Sequence, residues 1–209
     1  METQKKIIDE SIDVAKGFLQ KLINPPIEEL GLLVSDNIRL WRFKNQIRIL
    51  EKAKKIVDKK KIKIQEIPLK ILVPMLDGAS LEEDDDLRDN WSALIANSVD
   101  KNKDVCNPIF SNILKQLSSN EARCIKKMIE KKSYSVFDFY DLWNEFELNW
   151  TNVYNLKRLG LLETERDIYI SGPGEYDEDE VWNQDIHVEG DKEYKLTPLG
   201  IEFIKAVNE

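Results

Sequence analysis

Side chains that carry chemistry are scarce in this chain. Among 209 residues there is one histidine, His187, and there are two cysteines, Cys106 and Cys124. A structural zinc site needs four nitrogen or sulfur ligands, and one histidine with two distant cysteines falls short of that number. A Ser-His-Asp or Cys-His arrangement could draw only on His187, and no serine stands in a G-x-S-x-G turn. Neither a P-loop nor a G-x-G-x-x-G stretch is present. The expectation is a protein that is not an enzyme and needs no metal or cofactor, with His187 an ordinary strand residue.

Other scarcities narrow the setting. With 8 glycines and 7 prolines there is little material for long flexible linkers. No apolar run approaches the ~18 residues of a membrane span. The opening METQKKIIDESIDVAK is charged throughout, where a secretory signal needs an apolar stretch. Two cysteines without a C-x-x-C pair read as reduced thiols. These features predict a cytoplasmic protein without a membrane span.

What is present is enough to fold. Hydrophobic residues make up 42% of the chain and charged residues 33%, which supports a buried core beneath a highly charged surface. The net charge of −8 is unevenly spread. Residues 1–117 hold 20 Lys and Arg against 19 Asp and Glu, whereas residues 118–209 hold 11 against 20. The two parts offer different surfaces to partners.

Helical spacing of Ile8, Ile12, Ala15, Leu19 and Leu22 predicts a first helix over 4–23, stopped by Asn24-Pro25-Pro26. A second helical stretch runs from about Ile27 to Ile62, with Gly31 or Ser35 as a break point. Pro68 and Pro74 bracket a short helix, LKILV. Ser80 with Glu83 has the spacing of a capping box, and Leu87, Trp91, Leu94, Ile95 and Val99 form the apolar stripe that follows. A helix from Ile109 to Leu117 comes next, and Ser118 with Glu121 is a second capping box. From residue 118 the order becomes helix, helix, helix, strand, strand, helix. Its helices are predicted to about Lys131, over Val136–Trp143 and over Trp150–Leu159. Its strands are predicted over Leu161–Ile170 and Ile186–Leu196, and Thr197-Pro198 opens the last helix. That order is the one a winged helix has. The predicted architecture is therefore mainly α. A helical domain over 1–117 is followed by a winged-helix-like α+β domain over 118–209, with a long acidic wing loop at 171–183.

Three surfaces are candidates for function. Lys44, Arg48, Lys52, Lys55, Lys59 and Lys63 recur every three or four residues, which places them within about a third of the helix circumference, opposite Phe43, Ile47, Leu50 and Val57. Such a basic stripe is either a solvated face or a grip on phosphates or acidic headgroups. No aromatic is interleaved with these lysines. In the recognition-helix position, Trp150, Tyr154 and Arg158 lie opposite Val153, Leu156 and Leu159. A helix that reads DNA would show Arg, Lys, Asn and Gln, so two large aromatics suit a protein interface better, unless they pack on the preceding helices. The wing tip offers Glu175, Asp177, Glu178, Asp179 and Glu180, which repel phosphates. The run Glu82 to Asp86, with Asp89, resembles a hard-cation site in composition, but acids at a helix N-terminus account for it without a metal.

The strings P-L-K-I-L-V-P at 68–74, then E-E-D-D-D-L-R-D-N-W-S-A-L-I-A-N-S-V-D, then N-P-I-F-S-N-I-L-K-Q-L-S-S-N-E-A resemble the abortive infection alpha (Abi-alpha) family of bacteria. The matching positions are Pro68, Pro74, Trp91, Leu94, Ile95, Ala96, Ser98, Pro108, Phe110, Leu117, Ser118, Glu121 and Ala122. The L-G-L-L at 159–162 and Y-K-L-T-P-L-G-I-E-F at 194–203 recur in it too. The resemblance implies antiviral defence: phage resistance in which growth of the infected cell is halted. It implies no catalytic residues. The favoured expectation is a non-enzymatic defence protein working through protein contacts or self-association. The alternative is a nucleic-acid-binding regulator using the basic stripe and the winged helix.

Overall fold

Amphipathic periodicity decides where this chain becomes helical. The computed structural model describes residues 2–22, 37–130, 139–164, 167–170, 186–189 and 194–208. Helix α1 (Glu2–Leu22) buries Ala15, Phe18, Leu19 and Leu22, the i, i+3, i+4, i+7 set of a one-sided helix. Helix α2 (Asn37–Lys60) buries a wider arc that includes Ile47, Ile49, Leu50, Ala53, Ile56 and Val57. At 100° per residue that arc covers roughly half the circumference, so α2 can pack against several neighbours at once. It packs against α1 and against two helices that follow it, α3 (Leu69–Ser80) and α4 (Asp85–Ser98).

The end of α2 falls short of the sequence expectation. Lys61 adopts φ +53°, and the Ile62 N–H donates to the Val57 carbonyl at 3.0 Å while the Lys61 N–H donates to Asp58 at 3.2 Å. This is a Schellman stop in which lysine occupies the position usually given to glycine. Residues 63–65 then run as a short antiparallel bridge beside 99–101. Gln65 donates to the Val99 carbonyl at 2.8 Å and Lys101 to the Lys63 carbonyl at 3.2 Å.

Two further expectations are corrected here. The piece between Pro68 and Pro74 is the start of a longer helix, since α3 continues through Pro74 to Ser80. Pro74 removes one bond, to the carbonyl of Lys70, and Lys70 is exposed, where water can take that bond. Because α3 reaches Ser80, that residue cannot cap the next helix. Its buried hydroxyl donates to the Asp77 carbonyl at 2.6 Å and accepts from Arg42 Nε at 2.9 Å. The cap of α4 is Asp84, whose carboxylate accepts the Leu87 N–H at 3.0 Å.

Helix α4 is buried on every side from Trp91 to its end at Ser98. Trp91 also explains Gly78 in α3, since a Cβ there would stand 2.7 Å from the indole. Helix α5 (Pro108–Leu114) is capped by Asn107, and α6 (Ser119–Glu130) opens with the predicted box. In that box the Glu121 N–H donates to Ser118 Oγ at 3.3 Å and the Ser118 N–H to the Glu121 carboxylate at 2.7 Å.

Helices α7 (Phe139–Phe146) and α8 (Trp150–Arg158) follow. Asn149 and Asn152 cap α8 reciprocally, and Gly160, at φ +72°, ends it. Strand β1 (Leu162–Thr164) pairs antiparallel with β4 (Tyr194–Leu196), and β2 (Asp167–Ile170) with β3 (Ile186–Glu189). His187 lies in β3, opposite Tyr169 in the register. Thr197 opens α9 (Pro198–Val207), its hydroxyl accepting the Gly200 N–H at 2.9 Å. The acidic loop at 171–183 and the break expected near Gly31 or Ser35 lie outside the described residues.

The described residues thus form nine helices and two short antiparallel strand pairs, a mainly helical chain. They divide into two compact units. One comprises residues 1–123 with 202–209, and its fully buried side chains include Phe18, Leu22, Ile49, Met75, Trp91, Ile95 and Phe203. The other comprises residues 124–201 and is built on Ile125, Met128, Leu142, Leu148, Val153, Leu156 and Leu161.

Candidate interaction surfaces

The basic stripe is present on α2, but it is not uniform. Lys44, Arg48, Lys55 and Lys59 are exposed. Lys52 is half-buried and its ammonium is held by Asp89 of α4, so it serves as a bridge between helices. Lys63 lies beyond the Lys61 stop, on the bridge beside 99–101, and so leaves the helical row. Lys44, Arg48 and Lys55 pair with no acid among the described residues. The stripe is therefore four exposed cations with a neutralised middle.

One residue of this face escaped the sequence reading. Trp41 is 36% exposed and stands three residues before Lys44. Positions 41, 44, 48, 52, 55 and 59 step by three or four, so they share an arc of about 80°. The signal for it is the same periodicity extended one step N-terminal to Lys44.

The second surface belongs to α8. Val153 and Leu156 are buried, while Trp150 is 49% and Tyr154 65% exposed. Their rings lie 6.4 Å apart at 39°, one helical turn apart on the same face. Tyr154 also lies close enough to the buried Tyr194 to reinforce what burial does, pushing the Tyr194 phenol above its ordinary pKa. Arg158 is exposed at the end of the same helix and donates to Asn155 Oδ1 at 2.7 Å. Lys157 faces inward, donating to Thr164 Oγ1 at 2.7 Å with its ammonium 5.9 Å from the Tyr194 ring. Trp143 of α7, 52% exposed, is a further large aromatic of this unit. Trp150 and Tyr154 thus stand about half and two-thirds exposed on the face of α8 opposite Val153 and Leu156.

The acid run 82–89 is occupied by its own protein. Glu82 accepts the Glu83 and Asp84 N–H groups, Arg88 pairs with Asp85, Arg123 lies 3.9 Å from Asp86, and Lys52 takes Asp89. Burial alone would raise the Asp84 pKa. The Ser119 hydroxyl, the N–H groups of Leu87 and Asp86, and Arg123 outweigh it and hold the carboxyl below its ordinary value. Among the described residues no three His, Cys, Asp or Glu side chains are grouped to hold a metal ion. Cys106, half-buried beside Asp104, is held in the thiol form, with burial the larger cause. Among the described residues no helix is long and apolar enough to cross a membrane.

No curated protein and no solved structure matches this chain. The family model for abortive infection alpha matches residues 44–207, from the first lysine of the stripe through the end of α9. That span takes in helices and strands of both compact units, and the chain belongs to the abortive infection alpha family.

Proposed function

We propose that this chain is a non-enzymatic phage-defence protein of the cytoplasm. It acts through protein contacts made by the outward face of α8, within a winged-helix-like second unit. The carrying observation is the pair Trp150 and Tyr154, 49% and 65% exposed on a helix whose other face is spent on the core. Large aromatics are the side chains that anchor protein interfaces, because each buries a large area at little entropic cost. The same face is a poor reader of DNA: Lys157 is turned inward, and the sequence at 175–180 adds five acids, Glu175, Asp177, Glu178, Asp179 and Glu180. The partner is a protein of the infected cell or a second copy of this chain.

The test is phage plating with survival counts, comparing wild type with Trp150→Ala/Tyr154→Ala. The double variant is expected to lose protection while its circular dichroism and its level in cells stay unchanged, since both side chains are exposed. Full protection by the folded double variant would remove α8 from the mechanism.

A further inference from the structure

The row on α2 has a composition that the defence reading does not use. Trp41, Lys44, Arg48, Lys55 and Lys59 line one exposed strip, and from residue 41 to residue 59 it is about 27 Å long at ~1.5 Å per residue. From this strip we infer that α2 binds single-stranded nucleic acid, the cations following the backbone and Trp41 taking a base.

The choice of occupant follows from what the strip contains and what it lacks. Cations on a single line suit a single polyanion, and three of the four have no acid among the described residues to compete for them. An exposed indole beside them offers what every unpaired base can use, a flat face to stack on, whereas bases in a duplex are already stacked. A lipid surface is the poorer match. Helices that lie on membranes insert an apolar face, and the apolar arc of α2, Ile47, Leu50, Ala53 and Val57, is buried in the protein. Glu51 and Asp58 flank the row at its edges, and Asp58 is already engaged by Lys54 at 2.5 Å. Lys52 stays with Asp89, so the strand is gripped at both ends of the row and loosely at its middle.

The experiment uses the full chain and fluorescein-labelled single strands of uridine RNA and thymidine DNA, each about 12 nucleotides long, followed by anisotropy. Binding in the micromolar range at about 50 mM salt is expected, weakening roughly 20- to 50-fold at about 200 mM, as three or four cations would give. Trp41→Ala should weaken binding about 5- to 100-fold without altering the salt slope, and Trp41→Phe should restore most of it. Arg48→Gln and Lys55→Gln should each flatten the slope by about 0.7. Binding of either oligomer with this pattern supports the inference, and the tighter of the two names the strand. Three results would overturn it in a folded protein: no binding at low salt, a duplex bound as tightly as the single strands, or capture only by vesicles of phosphatidylserine. Indifference of binding to Trp41→Ala would equally remove the base-stacking site. None of these readings depends on phage protection, so failure here leaves the role of α8 standing.

Discussion

Asn97 is a buried polar side chain in the last turn of α4, and removing it should cost about as much as truncating one of the apolar residues around it. Its amide nitrogen donates to the Ala206 carbonyl at 2.8 Å and to the Asn208 carbonyl at 2.9 Å, with Lys205 a distant third at 3.5 Å. An NH2 group has two hydrogens, so the two short contacts carry the interaction. Its oxygen accepts from Lys103 Nζ at 2.6 Å. The side chain thus closes the C-terminal end of α9, where the last carbonyls of a helix have no partner of their own. Asn97→Ala removes the two donated bonds and the one accepted from Lys103, at ~1 kcal/mol or less each, and leaves the Ala206 carbonyl unsatisfied in a buried place, for a total of about 2–4 kcal/mol. For a chain of this size each kcal/mol lowers the melting temperature by roughly 2–4 °C, so a fall of about 5–15 °C is expected. Urea unfolding followed by circular dichroism should show a lower midpoint at unchanged slope. The discriminating variant is Asn97→Asp, which keeps the shape and the Lys103 contact but has no hydrogen to give. It should be as damaging as Ala. If Asn97→Asp stays within about 0.5 kcal/mol of wild type, the donors do not matter and the reasoning fails.

Two other perturbations follow from single residues. Replacing Lys61, at φ +53°, with Gly should stabilise the chain by about 1 kcal/mol, because glycine occupies the left-handed region without strain. Lys61→Ala should give no such gain, and equal effects of the two in a thermal melt would count against the Schellman reading. Asp84 has a depressed carboxyl pKa in the fold, so its contribution is present above the unfolded value near 4 and is lost as pH falls through the folded value. Acid titrations of stability should therefore show a shallower decline below about pH 4 in Asp84→Asn than in wild type. Parallel curves would mean that Asp84 has the same affinity for protons in both states.

The helices were largely legible because their signals are local. The apolar stripe of α1, the Ser118–Glu121 box and the Gly160 stop need only neighbouring residues to read, and each is in place. What failed depended on competition between distant groups. Ser80 has the spacing of a cap, but Arg42, 38 residues away, holds its hydroxyl at the end of a longer α3. Lys63 continues the lysine periodicity, yet the antiparallel bridge beside 99–101 ends that row after Lys61. Lys52 shares the spacing of its neighbours and differs only because α4 brings Asp89 against it. Trp41 was a failure of a different kind, since the spacing was there and only its first step went unread. The exposure of Trp150 and Tyr154 was undecidable from spacing, because outward positions on a helix can meet solvent or another helix equally.

The residues that tie this chain to its family are mostly occupied with holding it together. Trp91, Leu94, Ile95 and Phe110 are buried, and Ser118 with Glu121 opens α6. Asn97, inside the L-I-A-N-S string, ties down the end of α9. Gly200, inside the string at 194–203, sits so close to the Leu161 carbonyl that a Cβ would stand 2.5 Å from it. Side chains engaged in this way cannot also meet a partner without giving up the contacts that form the fold. The similarity therefore reports an architecture, and whatever triggers or executes the defence has to be sought on side chains that the core does not use. In the described residues the largest of these are aromatic: Trp41 at the head of the α2 cations, and Trp143, Trp150 and Tyr154 in the second unit. Large aromatics with this much exposed area are the side chains that protein interfaces favour, so these four are the first positions at which substitution should be tested for loss of protection.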